Sequence, residues 1–291
     1  MIENSMKGKT VQFGKKCIGQ DQPVFVIAEA GLNHGGDMAL ATRMIEAAAE
    51  SGADAIKFQA FRTEERFGEN PEIYGLIKPA ELNREQFAVL AREAKTVGIE
   101  FFATAFDEES VDMLKTLNVP VIKIASCDIC NERLLRRVAS SALPVIFSRG
   151  TAGVEEIDFA LNVFRKHNIP HILLHCVSSY PLEVESANLR AIHSLRLLHG
   201  IPVGYSDHTQ GVDVPLFAVY AGAMVIEKHF TLDRRLQGID WEISAEPAEL
   251  KGLILKIREA EKILGHGRVE AMPCEEEEIL YRKNMRMQEN P

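Results

Sequence analysis

Short runs of apolar residues alternate along the chain with longer stretches whose apolar residues recur every three or four positions. The runs are rich in Val, Ile and Phe, and each is four to six residues long. Runs of this length and composition predict β-strands. They are Val24–Ala28, Ala55–Gln59, Glu100–Thr104, Val121–Ile124, Pro144–Ser148, Ile172–Cys176, Pro202–Ser206 and Met224–His229.

The stretches between the runs predict amphipathic helices, because residues three and four apart share one helix face. Four of them carry the sets Leu40, Met44, Ile45, Ala48; Phe87, Leu90, Ala91, Ala94; Ile157, Ala160, Leu161, Phe164; and Leu250, Ile254, Ile257, Leu264. Almost wholly apolar strands separated by helices imply a parallel sheet buried on both faces. Eight such units over about 240 residues match a closed (β/α)8 barrel, the TIM barrel of the α/β class. A doubly wound open sheet is the alternative, but AEAGLNHGGD lacks its G-x-G-x-x-G fingerprint.

Polar residues stand at the end of every run, where a barrel enzyme builds its active site. In chain order they are Glu29, Asn33, His34, Lys57, Gln59, Thr104, Lys123, Ser126, Ser148, Arg149, Ser178, Tyr180, Ser206, Asp207, His208, Glu227 and His229. Taken singly, each could be an ordinary turn residue. Lys57, Lys123 and Glu227 lie inside their runs, however, and a buried charge without a partner costs several kcal/mol. The set therefore predicts a catalytic mouth.

Two histidines, His208 and His229, follow the last two runs. Neutral imidazoles suit Mn, Zn, Fe and similar ions, so the pair predicts a metal site with positions left for a substrate oxygen. A hydrogen-bonded structural role is the alternative for each histidine taken alone.

Two lysines and several hydroxyls predict an anion site at the same mouth, suited to a phosphate or a phosphate–carboxylate. The hydroxyls belong to Ser126, Ser148 and Ser206. The alternative is that Lys57 and Lys123 pair with acids such as Glu29 or Glu227.

Glu29 is also a candidate acid or base. Asp240 lies on a loop after the eighth run that could reach over the opening, although a plain turn residue is the simpler interpretation.

The amino-acid composition excludes several classes of protein. The chain has 291 residues, 46% hydrophobic and 26% charged, which is typical of a globular protein. Its net charge of −9 argues against a binder of nucleic acid or of membrane surfaces. Five irregularly spaced cysteines and a polar N-terminus without a secretory signal predict a reducing, cytoplasmic location. Cys127 and Cys130 are interpreted as loop thiols, and the acidic run Glu275–Glu278 as a solvated helix start.

Several segments, in order, resemble the sialic acid synthase family, which comprises the N-acetylneuraminate synthases and their pseudaminic and legionaminic acid relatives. The matching segments are IAEAGLNHGGD, GADAIKFQAF, GIEFFATAFDEESVDML, VIKIAS, LLHCVSSYP, ANLRAI, PVGYSDHTQG and VIEKHFTLDR, followed by the EEE stretch. The pair GYSDHT and EKHFTLDR is far more specific than a general barrel signal.

The resemblance implies a metal-dependent condensation of phosphoenolpyruvate with an open-chain N-acyl sugar aldehyde, giving a 2-keto-3-deoxy sugar acid and phosphate. His208 and His229 would hold the metal, expected to be Mn²⁺, with Mg²⁺ or Co²⁺ as alternatives. The phosphoenolpyruvate cradle would comprise Lys57, Thr104, Lys123, Ser126, Ser148, Ser178 and Ser206. Glu29, Gln59, Tyr180 and Asp240 would position the sugar or water, with Glu29 as the best acid/base candidate.

Three departures from the family pattern bear on the substrate. Family members usually carry a small C-terminal antifreeze-like domain that contacts the acyl group of the sugar. We expect an extension at 1–20, the barrel at 21–270 and a tail at 271–291, without that domain. Arg149 adds a cation beside the expected phosphate site, where it could hold a more anionic substrate or simply face outward, and it is counted among the substrate-binding residues. Trp241 replaces a histidine next to Asp240, where it could stack on a sugar or simply pack under the loop.

Two other functions stay open from the sequence. One is an aldol-type enzyme with another carbonyl acceptor, in which Lys57 or Lys123 could form a Schiff base. The other is a non-catalytic subunit that needs a partner supplying the antifreeze-like domain. The expected ligands are small molecules rather than nucleic acid or membrane, and a homodimer is expected, as is common for such enzymes.

Overall fold

Eight parallel strands close into a barrel in the computed structural model, which describes residues 10–67 and 70–288. The strand order around the barrel is β10-β3-β4-β5-β6-β7-β8-β9. These strands are β3 Phe25–Gly31, β4 Ala55–Ala60, β5 Glu100–Ala105, β6 Ile122–Ile124, β7 Val145–Ser148, β8 His171–His175, β9 Val203–Asp207 and β10 Val225–His229. Each corresponds to one predicted run, so the (β/α)8 prediction is confirmed. The first nine residues of the predicted extension and the last three of the tail lie outside the described residues.

Most of the helices connect the strands and cover the barrel, while the last one follows the barrel in the chain and is largely exposed over 276–282. The helices are α1 Met38–Glu50, α2 Thr63–Phe67, α3 Pro71–Ile77, α4 Arg84–Val97, α5 Glu108–Thr116, α6 Glu132–Ser140, α7 Val154–Lys166, α8 Arg190–His199, α9 Asp213–Tyr220, α10 Pro247–Leu264 and α11 Glu276–Gln288. Their buried faces follow the predicted spacing: α7 buries Ile157, Ala160, Leu161 and Phe164 against the sheet. For α10 the prediction is wrong at its last residue: Leu264 was expected on the buried face, but it ends the helix 48% exposed. The acidic run opens α11, as predicted.

The register of the parallel strands sets the site residues side by side. Glu29 lies opposite Lys57, and Thr104 lies between Gln59 on one side and Lys123 on the other. Register-paired residues of a parallel sheet point to the same face. Lys57, Lys123 and Glu227 therefore meet within the barrel. Lys228, on the other face of β10, instead pairs with Asp207.

An N-terminal hairpin, absent from the sequence prediction, covers the opposite end of the barrel. Strands β1 Thr10–Phe13 and β2 Lys16–Gly19 pair antiparallel. Phe13 is fully buried, with its ring 4.3 Å from that of Phe25 and 5.2 Å from that of Phe102. The backbone N–H of Lys15 donates to Glu100 Oε1 at 3.0 Å. Because Phe25 and Glu100 begin their strands, the hairpin lies at the N-terminal end of the barrel, away from the polar mouth.

Within the described part of the chain, no helix is both long enough and apolar enough to cross a membrane.

Candidate active site

A cavity of about 250 Å³ opens at the carboxyl ends of the barrel strands. Twelve of the fourteen predicted site residues line it: Glu29, Lys57, Gln59, Thr104, Lys123, Ser126, Ser148, Tyr180, Ser206, His208, His229 and Asp240. They come from the ends of all eight strands or the loops that follow, which is how TIM-barrel sites are built. The fold therefore brings together twelve of the side chains that the sequence assigns to one site.

Two ion-paired lysines form the floor of the cavity. Lys57 Nζ lies 2.8 Å from Glu29 Oε2 and 3.6 Å from Glu227 Oε2, and it donates to Thr104 Oγ1 at 2.8 Å. Lys123 Nζ lies 3.5 Å from Glu227 Oε1, which also accepts from Ser206 Oγ at 2.9 Å. All four charged side chains are nearly inaccessible to solvent, between 2% and 5% exposed. The floor thus holds two positive and two negative groups that compensate one another.

Burial and pairing move the pKa values of these groups in opposite directions. Burial raises the pKa of Glu29 to about 7, although Lys57 opposes the shift. Burial alone would raise the pKa of Glu227, but Lys123 and Lys57 hold it below its usual value. Burial lowers the pKa of Lys123, and the neighbouring Lys57 adds to that effect. Glu29 is therefore the carboxyl on the floor that gains and loses a proton near neutral pH, while Glu227 remains ionised.

Serine hydroxyls and one glycine form a compact wall beside the lysines. Ser126 Oγ and Ser178 Oγ are 3.2 Å apart, and Ser148 lines the cavity nearby. Gly150 has a φ of +49°, and a Cβ on it would lie 2.6 Å from both hydroxyl oxygens. Only glycine adopts this backbone without strain and leaves the two hydroxyls room. Sequence reasoning missed Gly150, although its place two residues after Ser148 in S-R-G-T was a signal.

The two predicted metal-binding histidines lie together at the rim. The ring centroids of His208 and His229 are 5.6 Å apart. The Nδ1 of His208 lies 2.7 Å from the Val177 carbonyl, so it carries the proton and Nε2 keeps its lone pair. Burial lowers the pKa of both histidines, and each also lies near other cationic groups, so both are neutral at physiological pH. Neutral imidazoles are the form that binds metal.

This pair fits a divalent ion as two ligands. An ion bound at ~2.1 Å to a ring nitrogen lies roughly 3.2 Å from the ring centroid, so centroids up to about 6.5 Å apart can share one ion. Asp240 Oδ2 lies 3.4 Å from His229 Nδ1, and this carboxylate can orient the imidazole or approach the ion. Among the described residues, no group of three or more His, Cys, Asp or Glu side chains is arranged as a metal cage. A metal here would complete its shell with water or substrate oxygens.

Three polar groups that could face a sugar converge on the other wall. Gln59 Nε2 donates to Glu29 Oε1 at 3.1 Å. A Cβ placed on Gly31 would lie 3.3 Å from Asp240 Oδ2 and 3.6 Å from both Gln59 Nε2 and Glu29 Oε1, so the three groups surround one small volume. Burial raises the pKa of Asp240 to about 6, with Lys57 opposing. The wall offers both donors and acceptors to a hydroxylated ligand.

Arg149 and Ser178 are the two predicted site residues that do not line this cavity. The guanidinium of Arg149 donates from Nε to His175 Nδ1 at 3.1 Å and from Nη1 to the Ala152 carbonyl at 3.2 Å. It therefore braces the turn after β7 against β8, and its charge is directed away from the lysines. Ser178 does not line the cavity itself, but its hydroxyl lies next to that of Ser126, at 3.2 Å. Trp241 lines a smaller adjoining cavity of about 190 Å³ that shares Tyr180, Ile239 and Asp240 with the main one.

Arg66 and Phe106, which sequence reasoning also missed, separate the cavity from a larger surface cleft of about 740 Å³. The Arg66 guanidinium lies 3.9 Å from the centre of the Phe106 ring and 3.1 Å from Asp128. Charges along the cleft are paired with one another, as in Arg133 with Glu108 at 2.7 Å. The smaller cavity, whose charged groups are buried and have shifted pKa values, is therefore the better candidate for catalysis.

Comparisons with known proteins agree with this geometry. The model of the NeuB family matches residues 44–269. A crystal structure of N-acetylneuraminic acid (sialic acid) synthetase from Leptospira borgpetersenii, in complex with citrate, is 54% identical and superposes with a TM-score of 0.93, covering 96% of this chain and 98% of that one. The N,N'-diacetyllegionaminic acid synthase of Legionella pneumophila is 41% identical over 87% of this chain and 77% of its own. Human N-acetylneuraminate-9-phosphate synthase is 38% identical over 89% of this chain and 76% of its own.

Proposed function

The chain belongs to the NeuB family, and from this premise we propose that it condenses phosphoenolpyruvate with the open-chain form of an N-acyl sugar aldehyde. The products are a 2-keto-3-deoxy sugar acid of the nonulosonate type and inorganic phosphate. Its relatives named above are synthases of sialic and legionaminic acids. The observation that carries the proposal is the pair of buried lysines beside a wall of serine hydroxyls, with two neutral histidines at the rim of the same cavity.

The floor is suited to an anion with two acidic ends. When Glu29 is protonated, Lys57 and Lys123 face a single carboxylate, that of Glu227, and the floor carries a net positive charge. Phosphoenolpyruvate carries a phosphate and a carboxylate, and ammonium groups and hydroxyls bind both. The hydroxyls of the serine wall, for which Gly150 leaves room, would donate hydrogen bonds to the phosphate oxygens.

The acceptor would lie nearer the mouth, between the rim histidines and the wall formed by Gln59, Glu29 and Asp240. A divalent metal held by His208 and His229, most simply Mn²⁺, would supply Lewis-acid polarisation of the aldehyde oxygen. Gln59 can donate to a sugar hydroxyl, and the carboxylates of Glu29 and Asp240 can accept from one. Tyr180, whose side chain is exposed at the rim, can cover the ligand from above.

The proposed reaction proceeds in three bond changes. The enol carbon of phosphoenolpyruvate attacks the aldehyde carbon, forming the new C–C bond while the aldehyde oxygen takes a proton. Water then adds to the resulting oxocarbenium carbon and loses a proton to Glu29, which can accept it because Glu29 has given its own proton to the aldehyde oxygen in the first step. The tetrahedral intermediate collapses with C–O cleavage and releases phosphate. Lys57 and Lys123 offset the negative charge that shifts toward the phosphate during these steps.

Phosphate release tests the proposal directly. The purified protein, with Mn²⁺ and phosphoenolpyruvate, is assayed against a panel of N-acylated and plain aldoses, with Lys123→Met as the inactive control. We expect phosphate release with at least one N-acyl aldose. Absence of turnover with every sugar, together with absence of phosphoenolpyruvate binding by calorimetry, would reject the function. A pyruvate adduct trapped on Lys57 or Lys123 by borohydride would instead support a Schiff-base aldol reaction. A cytoplasmic location and a homodimer remain predictions alongside this function.

A further inference from the structure

Both polar atoms of the Asn33 side chain form hydrogen bonds with the segment that carries Asp240. Asn33 lies on the loop after β3, is 4% exposed and takes no part in lining the cavity. Its Nδ2 donates to the Phe230 carbonyl at 3.0 Å and to Ser244 Oγ at 2.8 Å, and its Oδ1 accepts from the backbone N–H of Asp240 at 3.3 Å. All three partners lie between the end of β10 and the start of α10.

Ser244 binds the backbone carbonyl of Asp240, while Asn33 binds its N–H. The Ser244 hydroxyl accepts from Asn33 and donates to the Asp240 carbonyl at 2.7 Å. The backbone of Asp240 is therefore fixed at its N–H by Asn33 and at its C=O by Ser244. Both residues are nearly inaccessible to solvent, so neither hydrogen bond competes with bulk water.

Gly238 shows how closely the segment lies on Asn33. A Cβ on Gly238 would be 2.5 Å from Asn33 Oδ1 and 3.0 Å from Asn33 Cα. No larger residue fits between the two loops without moving one of them. The neighbouring Leu236 and Ile239 are 52% and 39% exposed, so their apolar side chains hold this part of the segment only weakly.

The chemistry of the amide makes the arrangement directional. Turning the amide over would set its oxygen against the Phe230 carbonyl and its NH₂ against the Asp240 N–H, so only the observed orientation satisfies all partners. An aspartate at this position, with the same shape, would lose both donors and place a carboxylate against a carbonyl. The residue type is thus matched to the task of joining two loops.

We propose that Asn33 and Ser244 are positioning residues, which hold the Asp240 backbone so that its carboxylate stays beside His229 and Glu29 at the acceptor wall. The inference rests on the proposed function in one respect, namely that Asp240 contacts the sugar or water at the wall formed by Gln59, Glu29 and Asp240. Displacing a reacting or orienting group by 1 Å can cost about 100-fold in rate. A half-exposed loop without this hold would keep Asp240 in place for only part of the time.

Steady-state kinetics with single and double variants test the proposal. Ser244→Ala and Asn33→Asp should each lower kcat about tenfold or more, with KM for phosphoenolpyruvate changed less than about twofold. In an Asp240→Asn background the same substitutions should cause no further loss beyond about twofold, because groups that act through one another are not additive. Ser244→Thr, which keeps the hydroxyl, should restore most of kcat. Ser194→Ala and Asn162→Asp, both on exposed outer helix faces, are the matched controls.

Crystal structures of the wild type and of Ser244→Ala supply a readout independent of turnover. The distance from Asp240 Oδ2 to His229 Nδ1, now 3.4 Å, should increase by about 1 Å or more, or the carboxylate should occupy several positions. An unmoved carboxylate, an unchanged kcat in Ser244→Ala, or equal losses with and without Asp240 would each overturn the proposal. If the wild type turns over no sugar, the proposed function fails, and the crystallographic comparison alone decides the positioning role. Ser244→Ala carries the test if Asn33→Asp does not fold.

Discussion

Replacing Glu29 by glutamine should make the protein more stable at alkaline pH and leave it little changed at acid pH. Burial raises the pKa of Glu29 from 4.5 to about 7 against the pull of Lys57. Between these two values the unfolded chain has released the proton while the folded protein keeps it, so wild-type stability falls as pH rises through this window. A shift of this size, at 1.36 kcal/mol per pKa unit, corresponds to about 3 kcal/mol above pH 7. Glutamine has the same shape and does not titrate.

Urea unfolding at pH 5, 6, 7 and 8 measures this effect. The variant-minus-wild-type difference in unfolding free energy should increase by about 2.5 kcal/mol from the lowest to the highest pH, with unchanged denaturant dependence. Glu46→Gln, at an exposed position on α1, is the matched control for the substitution itself. A difference that does not vary with pH would show that the 2.8 Å contact with Lys57 keeps Glu29 ionised throughout, and the argument from burial would be wrong.

The same substitution bears on anion binding. Ionised Glu29 adds a negative charge next to Lys57, so wild-type affinity for phosphoenolpyruvate should weaken as pH rises through about 7. The ligand's own titration affects both proteins equally. Calorimetry should therefore show the ratio of wild-type to Glu29→Gln affinity falling about tenfold between pH 6 and pH 8, which is 1.4 kcal/mol of charge interaction. A constant ratio would contradict this role of Glu29.

Three further predictions concern other parts of the molecule. Phe13→Ala should lower the free energy of unfolding, measured with urea, by about 3–5 kcal/mol. Phe159→Ala, on the exposed face of α7, should lower it far less. Equal losses in the two variants would refute the anchoring role of the hairpin. Gly150→Ala should weaken phosphoenolpyruvate binding at least about tenfold by calorimetry, because its methyl group occupies the hydroxyl wall; unchanged affinity would separate that wall from the phosphate. Chelator-treated wild type should bind one Mn²⁺ per chain, and His208→Ala or His229→Ala should abolish that binding; retention by both would reject the proposed ligands.

Strand positions and the residues at the strand ends could be predicted from the sequence because both depend on local pattern. Lys57 and Lys123 interrupt apolar runs, and a charge in that setting has few explanations other than a site. The hairpin formed by β1 and β2 was missed because each strand has four residues, and its buried apolar face consists of only Val11, Phe13 and Ile18. A pattern that short carries little periodicity.

Side-chain direction was the part that the sequence could not supply. Arg149 follows Ser148 directly, and its position at a strand end gave no sign that His175 and the Ala152 carbonyl would take its guanidinium. Asn33 was recognised as a polar residue near the mouth, but its partners lie about 200 positions away in the chain. The S-R-G-T turn marked Gly150 in the sequence, but only its φ and the neighbouring hydroxyls show that it leaves room for the serine wall. These features depend on tertiary contacts that no local pattern encodes.

The depth of the cavity has a kinetic consequence. The lysines at its base are 3% exposed, while Tyr180 at its rim is 54% exposed, and the hairpin lies at the other end of the barrel. In the proposed reaction the enol phosphate lies at the lysines and the sugar lies nearer the rim, so we expect the enol phosphate to bind first. Sugar supplied in excess should then inhibit turnover competitively with the enol phosphate.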